Sequence, residues 1–457
     1  MARRQNSQNP GKTGGRLKTA EIRDRAIKAL FLSVFLATAI IAITAGYSEA
    51  VFTIKPAIAL SEEYDDNIYL QDNRVSDFIT RVMPSVKMEY RAPVWEWDFN
   101  YMLNWAYYAR LGESYDSNNA RLASRAKLIQ NFLYFDVYDV YENVVTNPRN
   151  PSTETNLVQN RTDSNTLTAS PYIRYQLTPS AVLATGYRYT NIWYREDNGV
   201  NRQLHTGFVM GEYKFSPLLR ALAGAEYTED MPDGSYPDNK QTVLYIKTFY
   251  KIGQRTDFDG TLGYRWINFE GTSDRDRILY NAGIVYRISE KGQIEFRAAS
   301  GVAALPAVGM PEAETLAEQM NAGVSLLYSP SLGVYESRTE QITIRYGETL
   351  SINGSIFHRK DTYFETEEKD HVYGVTAGLQ YQYSPRLTFR IGGRYEKDHY
   401  NPKDEKRTIY NGTAGIDYQL KPKATLTLTY NHTREDGNTR DLDYTDNVIA
   451  VQLRMTF

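Results

Sequence analysis

Residues 95–109 alternate without a break. Trp95, Trp97, Phe99, Tyr101, Leu103, Trp105, Tyr107 and Ala109 fall on one side of an extended chain, and Glu96, Asp98, Asn100, Met102, Asn104, Ala106 and Tyr108 on the other. A period of two held this long predicts one β-strand far longer than the usual five or six or so residues. The pattern recurs. In 372–383, Tyr373, Val375, Ala377, Leu379, Tyr381 and Tyr383 oppose Gly374, Thr376, Gly378, Gln380 and Gln382. In 387–396, Leu387, Phe389, Ile391 and Tyr395 oppose Thr388, Arg390, Arg394 and Glu396. In 424–431, Leu426, Leu428 and Tyr430 oppose Thr425, Thr427, Thr429 and Asn431. Residues 342–356 put Ile342, Ile344, Tyr346, Leu350, Ile352 and Ile356 on a single face and read as one more strand.

Alternation alone also fits a water-soluble sandwich. Two features point to a membrane instead. The strands are longer than a sandwich needs, and the roughly 9–11 residues that cross a bilayer as tilted strand fit inside them. The polar face also carries Arg, Glu, Asp and Gln repeatedly, which suits a wet lumen.

Turns divide into two kinds. Tight ones are marked by Ser/Thr/Lys-Pro at Pro179, Pro217, Pro330, Pro385 and Pro422, because proline presets φ and cannot donate to a ladder. Four more are expected near Pro93, Asn131, Gly253 and Lys291, so that successive turns lie 36 to 55 residues apart. Between them run longer polar stretches such as 228–241, 358–370, 396–407 and 432–446. Short turns on one side and long polar loops on the other predict a transmembrane antiparallel up-and-down β-barrel of about 20 strands, range 16–22, with the long loops outside the cell. Closure has a physical cause. Hydrocarbon offers no hydrogen-bond partner, so an open sheet edge in it leaves costly unpaired groups. Aromatic rings favour the headgroup layer at both ends of such strands, which accounts for 37 tyrosines.

The first 50 residues differ. Residues 29–45 are continuously apolar and follow a basic segment holding Arg3, Arg4, Lys12, Arg16, Lys18, Arg23, Arg25 and Lys28. Ser48-Glu49-Ala50 is a small-x-small pattern, so 1–50 reads as a signal peptide cleaved after Ala50, and 51–457 as the barrel. The opposing reading is an uncleaved anchor helix, since 17 apolar residues lie near the lower limit for spanning. At the other end, Val451, Leu453, Met455 and the terminal Phe457 share a face. A last strand of this kind resembles the signal that outer-membrane barrels present to the barrel-assembly machinery.

Composition closes off other classes. With 52 Lys+Arg against 55 Asp+Glu the 457-residue chain lacks the basic excess of a nucleic-acid binder. Beyond residue 50 the balance is 44 to 52, a mildly acidic barrel. The absence of cysteine excludes disulfides and thiolate metal sites and suits an oxidising periplasm. A mean hydropathy of −0.53 leaves no room for many apolar helices.

The segments IKPAIALSEEYDDNIYL and SDFITRVMPSVKMEY, then NFLYFDVYDVYE and SPYIRYQL…GYRYTN, resemble a family of outer-membrane β-barrel porins, most closely over 51–195. Some members of that family lie beside exopolysaccharide or PEP-CTERM protein-sorting genes. The resemblance implies a bacterial outer-membrane location and a role in envelope polysaccharide traffic. It supplies no catalytic or binding residues.

Candidate chemistry is sparse. His205, His358, His371, His399 and His432 lie in or beside the expected loops, and no G-x-S-x-G supports a lipid hydrolase, so no catalytic residue and no enzyme activity is expected. Glu62, Glu63, Asp65, Asp66 and Asn67 form the densest oxygen cluster but lack EF-hand spacing, and read as a solvated loop start rather than a metal site. No cofactor motif appears. The pore-lining candidates are Arg188, Arg265, Arg287, Arg390, Arg394 and Arg454, beside Glu96, Asp98, Asp257, Asp259 and Asp417. Separate facing arrays of the two signs would set a transverse field across the lumen; the alternative is mutual neutralisation in a filled interior. Residues 302–319, with Pro311 ahead of a helix-capable run, are the expected inward-folding constriction. The leading functional expectation is a channel for passive solute diffusion or polysaccharide export. A non-conducting barrel that binds surface polysaccharide is the second, and a lipid hydrolase the third. Expected partners are outer-membrane lipids, lipopolysaccharide, the assembly machinery and exopolysaccharide, with no nucleic acid.

Overall fold

The computed structural model describes residues 50–147, 149–153, 156–195, 199–234, 236–271, 273–300, 327–329, 333–364, 368–401, 404–438 and 443–457. The leader expected over 1–50 (all but its last residue) and the constriction expected over 302–319 lie outside them.

The described residues form strands and turns, with no helix among them. In chain order the strands are β1 (Val51–Asp65), β2 (Asp77–Arg91), β3 (Trp95–Tyr108), β4 (Glu113–Ile129), β5 (Leu133–Val145), β6 (Arg161–Thr178), β7 (Ala181–Tyr194), β8 (Arg202–Ser216), β9 (Leu219–Pro232), β10 (Asn239–Ile252), β11 (Thr256–Phe269), β12 (Arg275–Ser289), β13 (Gly292–Ser300), β14 (Leu327–Ser329), β15 (Gly333–Gly347), β16 (Leu350–Tyr363), β17 (Lys369–Ser384), β18 (Leu387–Asn401), β19 (Glu405–Lys421), β20 (Ala424–Gly437) and β21 (Tyr444–Thr456). Each pairs antiparallel with its neighbours, and β1 closes the ring on β21 from Ala57 opposite Thr456 to Asp65 opposite Val448. The three-residue β14 pairs only with the first residues of β15, while β13 pairs with the remainder of β15. The wall is therefore a closed barrel of 20 strands, the number read from the turn spacing.

Eight tight turns fall where the sequence puts them. The seventh does not. The turn between the seventh pair of full-length strands lies at Glu348 and Thr349, while Pro330 falls between β14 and β15, outside the described residues, and 342–356 is a hairpin rather than one strand. The cause is parity. Tyr346, next to last in β15, and Leu350, first in β16, both have side chains on the outer face, so the period of two runs through the turn unbroken. Gly347 makes the turn possible, with φ of 138° and a virtual Cβ that would sit 2.0 Å from the carbonyl oxygen of Leu350. Asn131 and Gly253, two of the expected turn residues, also take positive φ, at 61° and 76°.

The outer face is apolar. One ladder row there reads Ile342, Ile356, Val375, Tyr395 and Tyr410 across β15 to β19, each directly opposite the next. These side chains are exposed because nothing but lipid would cover them in a membrane. At the tight-turn end Tyr90, Trp95 and Trp97 cluster, with ring centroids 5.5 to 6.4 Å apart, as an interfacial aromatic group. The alternate positions point inward and hold most of the buried polar side chains.

Candidate functional site

All eleven pore-lining candidates sit at inward positions of the wall, set by the strand alternation. Glu96 and Asp98 lie on β3, Arg188 on β7, Asp257, Asp259 and Arg265 on β11, Arg287 on β12, Arg390 and Arg394 on β18, Asp417 on β19 and Arg454 on β21. Their charges are matched locally. Arg390 meets Asp417 at 2.8 Å across β18 and β19, and Arg297 meets Asp259 at 3.0 Å. Arg287 pairs with Asp257, Arg394 with Glu396, Arg91 with Asp98 at 2.6 Å, and Arg188 with Glu226 at 3.8 Å. Glu96 stands opposite Arg125 in the ladder, and Arg125 also binds Asp136 at 3.1 Å. Separated arrays of opposite sign do not form from these residues. Side chains on the same strand or no more than two strands apart neutralise each other before a field can build across the lumen.

The inner wall is also less uniformly polar than alternation implies. Tyr134, Tyr172, Ala184, Phe208, Met210, Leu222, Val243, Tyr245 and Leu279 form one buried apolar patch on the inward faces of β5 to β12. Gly224 belongs to its geometry, since a virtual Cβ there would lie 2.6 Å from the Tyr245 ring. Burial increases toward the loop end. There Arg202 and Asp230, at 1% and 0% exposure, pair at 3.0 Å, and Asn239 donates to the same carboxylate at 2.9 Å. Arg81 with Glu63 at 2.9 Å and Arg407 with Asp398 at 2.6 Å repeat the arrangement on other strands.

The mouth at the loop end is crossed by an arm that sequence reasoning missed. β5 pairs with β4 as far as Tyr141, opposite Ala120, and beyond that point with β6 alone. The freed hairpin tip carries the connection between β5 and β6. From it Arg149 reaches β16 to β19, which lie between seven and ten strand positions from β5 by the shorter way round the ring. Its guanidinium binds Asp370 at 2.7 and 3.1 Å and Glu368 at 2.6 Å, and lies over the rings of Tyr363 and Tyr400. Its carbonyl accepts from Arg407 at 3.4 Å. Burial works against the Arg149 charge, yet the Asp370 and Glu368 carboxylates outweigh it and hold its pKa above the usual arginine value. Farther along the arm, Asn156 donates to the Ile68 carbonyl at 2.7 Å, and Leu157 and Val158 pack against Ile68, Ile79, Ala106 and Tyr108. A second connection turns in beside it. Phe364 packs on Ile267 and Phe269 of β11.

The remaining candidates resolve plainly. His358 Nδ1 meets Glu340 at 2.7 Å on the outer face, but its Nε2, where a serine nucleophile would have to sit, has no hydrogen-bond partner among the described residues. Of the acidic cluster, Glu62 faces outward to Thr80, and Glu63 pairs with Arg81. Asp66 accepts from Asn447 and Arg74, and comes within 4.8 Å of Asp65 and Asp446. Val451, Leu453 and Met455 point outward from β21, and the Phe457 amide donates to the Pro56 carbonyl at 3.0 Å.

The family model described as "Putative beta-barrel porin 2" matches residues 372–457. The chain thus resembles a family of outer-membrane β-barrel porins, with the match at its C-terminal end rather than over 51–195. No curated protein matches the chain in sequence. Among solved structures, the FrpB iron transporter of Neisseria meningitidis (F3-3 variant) aligns with TM-score 0.43 and 10% identity over 88% of this chain and 81% of its own. The siderophore receptor PirA of Pseudomonas aeruginosa gives 0.47 and 9% over 88% and 80%. The ferric-catecholate import receptor Fiu of E. coli K12, in its open form, gives 0.44 and 11% over 88% and 81%.

Proposed function

We propose that the chain is an outer-membrane channel for small hydrophilic solutes, porin-like in its wall and held shut at the loop end by the Arg149 arm. The outward apolar rows, the closed ladder and the match to the porin family model support the membrane location. The loops then face the cell exterior, lipopolysaccharide and outer-membrane lipid surround the wall, and the exposed apolar face of β21 with Phe457 serves the assembly machinery. Barrels of about 16–18 strands leave an aqueous channel, so 20 strands provide the space for one. Inward rows of paired charge give that space a polar lining along much of its length.

The observation that carries the gated reading is the Arg149 contact across the mouth. It joins the β5–β6 arm to the far wall by charge-assisted bonds, the kind of contact that holds a segment in one of two positions. Planar-bilayer recording of the purified barrel tests this. The native protein is expected to show rare, brief openings, and Arg149→Ala to raise the open fraction about ten-fold or more, as losing a partly buried bidentate pair implies. Silence in both proteins favours the second reading, a non-conducting barrel whose loops bind surface polysaccharide. The buried inner face at the loop end is the feature that favours that alternative.

A further inference from the structure

The ladder register brings together a basic row that is invisible along the sequence. Arg338 stands directly opposite Lys360, Lys360 opposite His371, His371 opposite His399, and His399 opposite Lys406. Five strands, β15 to β19, thus each contribute one basic side chain to a single line. All five positions alternate with inward ones, so the line lies on the outer face. At a strand spacing of about 4.8 Å it is about 19 Å long. Lys397 lies in the next row toward the tight turns, opposite Tyr373, and Lys369 in the row nearer the loops, opposite Thr362. Two rows below the line begin the lipid-facing side chains Ile342, Ile356, Val375, Tyr395 and Tyr410.

Few acids offset this charge. Glu336 touches Arg338 at 3.4 Å, and Asp404 touches Lys406 at 3.2 Å and His399 at 3.4 Å. Glu340 is engaged by His358 at 2.7 Å. The Asp404 contacts are exposed and individually weak. Within the line Arg338 and Lys360 are like charges directly opposite each other, which destabilises their pairing. Beside hydrocarbon, where water screens poorly, the repulsion is larger. The row is relieved when an anion lies along it.

We propose that this row binds the phosphates of a phosphorylated lipid in the surrounding leaflet, of the bisphosphorylated lipid A class. The height selects the ligand. The row stands beyond the apolar band with one mixed row of Glu340, His358, Tyr373, Lys397 and Thr408 between them, level with a headgroup layer. A groove begins one row below the line at Glu340, His358 and Tyr373, runs down over Ile342, Ile356 and Val375, and accepts an acyl chain. Two phosphates on one headgroup match an extended line better than a point site, and lysines near such a surface each add to binding. This rests on the proposed membrane location.

The test uses the full barrel purified in a zwitterionic detergent, with bisphosphorylated lipid A titrated in the same micelles. The variants are K360Q/K397Q/K406Q and the charge-conserving K360R/K397R/K406R. The glutamine variant is expected to bind lipid A at least about ten-fold more weakly, and the arginine variant to bind like the native chain. Millimolar inorganic phosphate is expected to compete poorly; full displacement by it would mean a soluble-phosphate site and overturn the proposal. Equal binding by native and glutamine variants would overturn it too. Insertion into lipid vesicles, followed by protease protection, separates the two readings. If the native barrel inserts yet binds lipid A no better than the glutamine variant, the lipid site alone falls. If it does not insert, the membrane reading falls as well.

Discussion

At the residue scale, the barrel's interior stakes stability on charge pairs that water does not reach. Arg202 and Asp230 are almost wholly buried, and Asp230 also accepts from Asn239. Such a pair is a poor source of net stability but a costly one to halve, because the remaining charge stays in a low-dielectric site. Asp230→Asn keeps the shape and removes the charge facing Arg202. It is expected to destabilise the barrel by about 3–5 kcal/mol, read as a lower temperature for loss of the compact band on cold gel electrophoresis. Gly347→Ala tests backbone rather than charge. Its φ of 138° and the 2.0 Å approach of the Leu350 carbonyl leave no place for a methyl group. A loss of about 1–2 kcal/mol is expected, with a slower appearance of folded barrel during refolding from urea, since the β15–β16 hairpin depends on that turn.

At the scale of elements, the wall was legible and the arm was not. Strand length, outward parity and eight tight turns follow from neighbours in sequence, because a period of two and a proline are local signals. The turn after Gly347 escaped because its length keeps Tyr346 and Leu350 in phase, so the only mark was one glycine. Arg149 escaped for a different reason. Its partners Glu368 and Asp370 lie 219 and 221 residues away, and nothing in a loop's own composition says which wall it will meet. The basic row is a third case: its residues are scattered over 338–406 along the sequence, and only the ladder register aligns them. If the Arg149 contact is what holds the arm, exchanging its charges should preserve it. Arg149→Asp alone is expected to raise the open fraction in bilayer recordings, Asp370→Arg alone likewise, and the double exchange to return it part of the way. Single variants as closed as the native barrel would mean that packing of Leu157 and Val158 on the β1–β3 side holds the arm instead.

At the scale of the whole molecule, charge arrangement decides what an opened barrel would admit. A net excess of acid over base in residues 51–457 would by itself predict preference for cations. The position of the charges argues otherwise. Arg390 with Asp417 and Arg287 with Asp257 pair between neighbouring strands, Arg394 with Glu396 along one strand, and Arg297 with Asp259 across the strand between them, so each presents a solute with a dipole rather than a bare charge. A dipole's field falls off faster than a charge's, and about 8–10 Å of saline screens what remains. The acidic excess lies partly at the loop end, in 228–241 and 432–446, where Asp230 and Glu435 are buried beside Arg202 and Arg407. The opened channel is therefore expected to discriminate weakly between potassium and chloride. Recording Arg149→Ala under a salt gradient checks this through the reversal potential, which should stay close to zero. Asp417→Asn should then shift it toward anion preference, because it unmasks Arg390 on the wall without altering the arm. A strongly cation-selective opened channel would instead place the conducting path along unpaired acids near the mouth and away from these inner rows.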